Sequence, residues 1–336
     1  MELQVTQRQT IQNQEIVEYS MKNDALEVRF LNVGGAITKI ALATDNYEQN
    51  LVLNYQNIAD YLDNGYFLNT LIGRTANRIV HGKFMLDGQP IQLDINSGSH
   101  NLHGGEDNLT HRLFDVSEIE DGYLLKTTLP HQMDGFPGNL NVTVWYRLVD
   151  NQFKISYEAT TDQMTVVNLT QHAYFNLSGN AQRTIYDHEL TLAATHVAEV
   201  DETSGFTEKL IPVAGTRFDF NEPTVIEPVG REAHYLFDHT SGYDHLFVLD
   251  PAVQTAVKFK DLQSGRVLKV TTDQPALQFY AGNFILDKTV FAGGRIGEAH
   301  LGACFETHQI PFDFASQILQ PGETYQQATT FEFTVE

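Results

Sequence analysis

The chain has 336 residues, of which 42% are hydrophobic, 19% charged and 11% aromatic, so it carries enough apolar material for a large packed core and no compositional mark of disorder. With 21 Lys and Arg against 43 Asp and Glu, its formal charge is −22. Acidity on this scale repels phosphate backbones and anionic lipid, which argues against nucleic acid or a membrane as partner and fits a neutral small molecule without requiring one. The single cysteine, Cys304, rules out an intramolecular disulfide and a thiolate zinc cluster. Residues Met1 to Glu18 lack a basic start followed by an apolar run, and no stretch reaches the roughly 18 apolar residues of a membrane span. The expected location is the cytoplasm, and the composition is equally compatible with a monomer and a homodimer.

Taken in chain order, the dominant signal is alternation at period two. Leu26-Glu27-Val28-Arg29-Phe30 predicts a half-buried strand, and Ile58 to Leu62 is a short helical candidate. Turn signals follow at Leu86-Asp87-Gly88-Gln89 and Asp121-Gly122. Leu140 to Tyr146 and Phe153 to Tyr157 alternate again, joined by a turn at Val149-Asp150-Asn151-Gln152. Thr195 to Phe220 reads as loop-rich and polar at its start, an expected surface excursion lining a cleft. Gly230 to Phe237 is the other helical candidate, and further turns fall at Ser264-Gly265 and Pro321-Gly322. Many short strands with almost no helices between them predict an all-β chain, a large antiparallel β-sandwich. With no internal repeat and no Pro-, Gly- or Ser-rich linker, residues 1–336 are expected to form one domain.

Four segments gather ionisable groups and glycines in a way ordinary strands do not. In Gly73-Arg74-Thr75-Ala76-Asn77-Arg78-Ile79 the guanidinium groups and the amide offer donors suited to sugar hydroxyls, or else an arginine paired structurally with an acid. In Ser97-Gly98-Ser99-His100-Asn101-Leu102-His103-Gly104-Gly105 two imidazoles stand three residues apart. A metal site needs a third ligand, and none is near in sequence. His100 reads best as a solvated loop residue, whereas the glycines after His103 allow positive φ and close backbone approach, which suits a residue held out into a pocket. His172 lies in the apolar run Val166 to Leu177, where burial statistics alone favour a satisfied core histidine over a catalyst. Glu306 is embedded in Gly302-Ala303-Cys304-Phe305-Glu306-Thr307-His308-Gln309, where burial raises a carboxyl pKa and a neighbouring cation lowers it, so the group can be tuned as a base. Asp244 and Gln278 are polar residues in similar aromatic strands.

Taken together in this order, these segments resemble the aldose 1-epimerase family, also called galactose mutarotases. The resemblance runs over nearly the whole chain and also includes Gly135-Phe136-Pro137-Gly138-Asn139, Gly215-Thr216-Arg217-Phe218-Asp219-Phe220, Tyr243-Asp244-His245 and Gly282-Asn283. It implies a β-supersandwich with an open cleft and an isomerase that uses no metal or other cofactor. By residue-for-residue match it implies Glu306 as base, His172 as acid and His103 as a second imidazole near the ring oxygen. Asn77, Arg78, Asp244 and Gln278 would hold hydroxyls of a free sugar such as galactose or glucose. One departure follows the glutamate: the family's usual Gln-His-Pro-Asp is replaced by Thr307-His308-Gln309-Ile310-Pro311-Phe312-Asp313, an expected change at the cleft margin that bears on substrate preference.

Two other functions stay open on the residues alone. A glycoside hydrolase also pairs an acid with a carboxylate, but normally sets two carboxyl groups about one glycosidic bond, whereas the strong segments here combine one glutamate with imidazoles. A sugar-binding module on the same scaffold would have no need of an acid and a base together.

Overall fold

The computed structural model describes residues 1–229, 234–238, 240–286 and 288–336. Two large antiparallel sheets dominate. A nine-stranded sheet runs in the spatial order Asp115–Ile119, Gly122–Leu129, Leu140–Val149, Gln152–Thr161, Tyr325–Val335, Arg266–Thr272, Val257–Asp261, His188–Leu192 and Thr224–Val225. A six-stranded sheet runs Tyr174–Phe175, Ala303–His308, Ala276–Tyr280, Asp244–Leu249, Ala194–Val200 and Phe206–Pro212. A four-stranded N-terminal meander, Glu2–Ile11, Gln14–Lys22, Leu26–Leu31 and Ile37–Leu42, packs Phe30 edge-on against Tyr146 with ring centroids 5.0 Å apart.

The sequence alternation becomes burial alternation. In Leu140–Val149, Leu140, Val142, Val144, Tyr146 and Leu148 enter the main core while the residues between them face outward. The inner face of the six-stranded sheet meets the nine-stranded sheet through Phe305, which lies 5.2 Å from Phe259 and 5.5 Å from Phe279, and through Thr307, whose hydroxyl is 2.6 Å from that of Thr329. Burying one such phenylalanine contributes about 1.5–3 kcal/mol, so this layer of aromatic rings is a principal source of the sandwich's stability.

Because strand side chains alternate, the opposite face of the six-stranded sheet is fixed at the same time. Gln278 pairs with Glu306 and Tyr280 with Cys304, and all four point away from the phenylalanine layer. The fold thereby places polar chemistry one residue out of step with its core.

Two expectations are corrected. Thr195 to Phe220 is not a loop lining a cleft: Ala194–Val200 and Phe206–Pro212 form a hairpin at the sheet's edge. Its outer strand exposes Thr207, Glu208, Lys209 and Leu210 in succession, so it shows none of the alternation that marks an interior strand. The helical candidates are 3₁₀ turns, Ile58–Tyr61 and Tyr235–Phe237, while positions 230–233 of the latter lie outside the described residues. The single α-helix among the described residues, Phe314–Gln317, has four residues, and no helix among them is long and apolar enough to cross a membrane.

Candidate active site

The outer face of the six-stranded sheet forms one wall of an open pocket, about 600 Å³ with the open solvent at its mouth included. From this wall come Glu306, Gln278, Tyr280 and Asp244. The other wall is built from short segments. Thr170–Gln171 pairs with Leu71–Ile72, and the chain then turns His172 into the pocket, with its backbone N–H donating to the Thr70 carbonyl at 2.9 Å. Arg78–Ile79 pairs with Asn101–Leu102, which brings Asn77, Arg78 and His103 to the same space.

Three of the pocket residues adopt an uncommon backbone conformation. Phe67, Asn77 and His103 all hold left-handed φ values, 52°, 63° and 55°, although none is glycine. Gly104 follows at φ 90°, and a Cβ on it would lie 2.4 Å from the Arg74 amide nitrogen, so only glycine lets the His103 loop approach the Gly73–Arg74 backbone.

Glu306 and His172 form the centre. Glu306 Oε1 is 3.6 Å from His172 Nε2, and both side chains are nearly fully buried. Burial pushes the Glu306 carboxyl well above the usual carboxylate range, nearby Asp244 adds to this, and Arg78 opposes it. Burial pulls the His172 imidazole down to about 4. Both shifts disfavour charge, so burial favours a carboxylic acid beside a neutral imidazole, one proton on the pair, over two separated charges. Oε2 of Glu306 is buried and meets no hydrogen-bond partner among the described residues.

His103 is held differently. Its Nδ1 accepts from the Asn77 backbone N–H at 3.2 Å, so the neutral ring carries its proton on Nε2. Burial, with His172, Arg78 and His308 nearby, holds its pKa well below the ordinary imidazole value. His103 therefore stays neutral and offers a donor. The hydroxyl-binding candidates form a chain: Asn77 Nδ2 donates to Gln278 Oε1 at 2.8 Å, and Gln278 Nε2 donates to Asp244 Oδ1 at 2.7 Å. Each amide keeps a second N–H.

All seven residues singled out in the sequence, Glu306, His172, His103, Asn77, Arg78, Asp244 and Gln278, line this one pocket. Other residues of the same motifs, among them His100, Arg74 and Thr307, do not. His100 is fully buried rather than solvated: its Nδ1 accepts from the His81 N–H at 3.1 Å, and its Nε2 lies 2.8 Å from the Thr203 hydroxyl. Arg74 is also buried, and it pairs with no acid among the described residues; it donates to the carbonyls of Leu129, Pro130, Pro137 and Gly138 and to the Thr165 hydroxyl. None of Thr307 to Asp313, the segment expected at the cleft margin, lines the pocket. Thr307 faces the core, and His308 is buried with Nδ1 2.6 Å from the Gln309 carbonyl.

A third potential metal ligand does exist in space, since His103, His172 and Glu306 offer atoms within 4.8 Å of one another. The donor set fits a cation poorly, because the Asn77 N–H occupies His103 Nδ1 and leaves a proton on the nitrogen that would have to ligate. The sequence reading missed the aromatic lining, Tyr66, Phe67, Tyr174, Tyr280 and Phe284. Tyr280 was recoverable, since it shares a strand face with Gln278. Phe67, whose ring is 4.7 Å from that of His103, gave no signal in sequence.

The sequence pattern of the family described as aldose 1-epimerase matches residues 17–332. Galactose mutarotase of Sus scrofa is 35% identical over 328 residues, covering 95% of this chain and 94% of the relative. Aldose 1-epimerase of Escherichia coli is 35% identical over 292 residues, 82% of each chain. The crystal structure of galactose 1-epimerase from Lactobacillus acidophilus superposes with a TM-score of 0.89 at 26% identity, covering 99% of both chains. On this agreement of sequence, fold and extent, the chain belongs to the aldose 1-epimerase family.

Proposed function

We propose that this chain interconverts the α and β anomers of a free aldose such as galactose or glucose, with Glu306 and His172 moving the protons. The observation that carries this reading is the buried 3.6 Å approach of Glu306 Oε1 to His172 Nε2 beside an open, polar pocket. Opening a pyranose requires removing the proton of the anomeric hydroxyl while protonating the ring oxygen. The C1 to ring-oxygen bond then breaks and C1 becomes an aldehyde. Rotation about C1–C2 and closure on the other carbonyl face reverse both transfers.

One proton on two groups is the inventory this cycle needs. Before opening, Glu306 is carboxylate and His172 imidazolium; afterwards Glu306 is carboxylic acid and His172 neutral imidazole. Ring opening thus collapses a charge separation that burial penalises. Positioned acid and base each typically contribute about 10²–10⁴-fold. His103 Nε2–H donates to substrate oxygen, while Asn77, Arg78, Asp244 and Gln278 hold hydroxyls. Arg78 is the only Lys or Arg lining the pocket among the described residues, which favours a free sugar over a sugar phosphate.

The test is polarimetric. Freshly dissolved α-galactose should reach its equilibrium rotation faster with the protein than without it, and equally fast in chelator. An unchanged rate on galactose and glucose, with sugar still bound, would make the chain a binding module, and release of nitrophenol from a nitrophenyl galactoside at enzymatic rates would make it a glycosidase.

A further inference from the structure

His172 presents two nitrogens to two different neighbours. Nε2 faces Glu306 and the pocket, whereas Nδ1 points back into the sheet toward Cys304, whose Sγ is 3.5 Å away. Cys304 is fully buried, in register with Tyr174 and with Tyr280, and it belongs to the apolar cluster behind the pocket. Tyr174 stacks on the His172 ring at 5.0 Å and Tyr280 meets it edge-on at 6.3 Å. Around His172, then, the groups able to titrate are Glu306, His103, Cys304 and these two phenols. Among side chains, Cys304 alone meets Nδ1 within the described residues; the backbone of His172 itself also favours a proton on the ring.

We infer that Cys304 is a positioning residue for the acid–base pair, its sulfur accepting the Nδ1–H of His172 throughout the cycle so that Nε2 is the nitrogen that gives and takes the proton. The inference rests on the proton-transfer reading above. An imidazolium that loses its Nε2 proton to the ring oxygen is left as the Nδ1–H tautomer. If the neutral ring relaxed instead to the Nε2–H tautomer, it would present a donor where the returning proton must be accepted, and closure of the ring would stall. Something must hold Nδ1–H. A neutral sulfur is a weak acceptor that takes this bond without drawing the proton off, unlike a carboxylate at the same place. Burial keeps the Cys304 thiol protonated, so it puts no thiolate charge beside His172.

The two imidazoles of the pocket thereby hold opposite tautomers. Asn77 N–H fixes His103 as Nε2–H, a permanent donor, and Cys304 fixes His172 as Nδ1–H, a proton carrier. Two histidines 5.3 Å apart are given different roles by what touches their far nitrogens.

The experiment compares the full-length protein with Cys304→Ala and Cys304→Ser. Imidazole ¹⁵N shifts of His172 are read by NMR alongside polarimetric kcat and KM on galactose. In the parent protein at neutral pH, Nδ1 should show a bound proton. Cys304→Ala should move the ring toward Nε2–H and lower kcat roughly tenfold, the scale of one hydrogen bond, with KM within about twofold. Cys304→Ser keeps an acceptor and should recover most of both. A parent protein whose His172 is the Nε2–H tautomer overturns the inference, and this reading needs no variant to fold. So does a Cys304→Ala protein with unchanged kcat, or one whose Ala and Ser forms lose rate equally with the tautomer unmoved, since that is the mark of packing alone. Glu306→Gln run in parallel separates the two failures: full turnover there removes the proton-transfer reading itself, whereas loss there with an indifferent Cys304 removes only this one.

Discussion

Asn77 and His103 are bound to each other in both directions. The Asn77 N–H donates to His103 Nδ1 at 3.2 Å, and the His103 N–H donates to the Asn77 carbonyl at 3.0 Å. A proton added to Nδ1 would set donor against donor, so the ring is locked neutral with Nε2–H toward the pocket. His103→Ala should therefore cost on the order of 10²-fold in kcat/KM, as for loss of a preorganised donor, yet leave both limbs of the pH profile in place. Steady-state polarimetry across pH measures this, and a limb that disappears with His103 would show that the ring titrates in the cycle.

The pH profile belongs to the Glu306–His172 pair. Activity requires one proton on the pair: with two there is no base, and with none there is no acid. The second proton goes onto His172, whose pKa burial lowers to about 4, so kcat/KM should fall only as the pH drops toward that value. The last proton leaves at the Glu306 carboxyl, which burial raises well above its ordinary range, so the alkaline limb lies far above a normal carboxylate. An acid limb at the ordinary imidazole value of about 6.5 would contradict this assignment.

Arg78 is a half-buried pocket residue and the strongest hydroxyl donor available. It binds ground and transition states alike, so Arg78→Ala should raise KM by roughly 10–100-fold, the range for a charged hydrogen bond, and lower kcat less. Saturation curves on galactose decide it, and an unchanged KM would move Arg78 out of the binding set.

Gly104 tests the scaffold rather than the chemistry. An alanine there combines φ 90° with a contact of 2.4 Å to the Arg74 backbone, whereas Gly88 has φ 72° and nothing within 4 Å of a Cβ. Gly88→Ala should cost about 1 kcal/mol and Gly104→Ala clearly more, with activity lost as His103 shifts. Urea midpoints for the two variants make the comparison, and equal losses would refute the close-approach argument.

Much of the sandwich was legible because interior strands such as Leu140–Val149 alternate in burial as they do in sequence. The 194–212 hairpin was not, because its outer strand lies at a sheet edge where exposed residues run together. For the site, each segment was ambiguous alone: Asn77 and Gln278 bond across 201 residues, and His172 and Cys304 across 132. Only their order along the chain, as a family pattern, gathered them. His100 and His103 share a loop and have opposite fates, since His100 turns inward onto the His81 N–H and Thr203 while His103 turns toward the pocket. Nothing in local sequence distinguishes those two directions.

The central claim is that Glu306 takes the anomeric proton, and Glu306→Gln tests it most directly. Glutamine preserves shape and hydrogen bonding without basicity, so kcat should collapse by at least about 10²-fold while the galactose dissociation constant changes little. The fold should hold. Because burial raises the Glu306 pKa, its contribution to stability is full below the unfolded-state value and is lost as pH rises toward the folded one. The Gln variant should therefore melt no lower than the parent at neutral pH. Polarimetric kcat measured beside a thermal melt and a galactose titration gives the answer: a folded, sugar-binding, inactive variant is expected, and a folded variant with near-normal turnover would contradict the account.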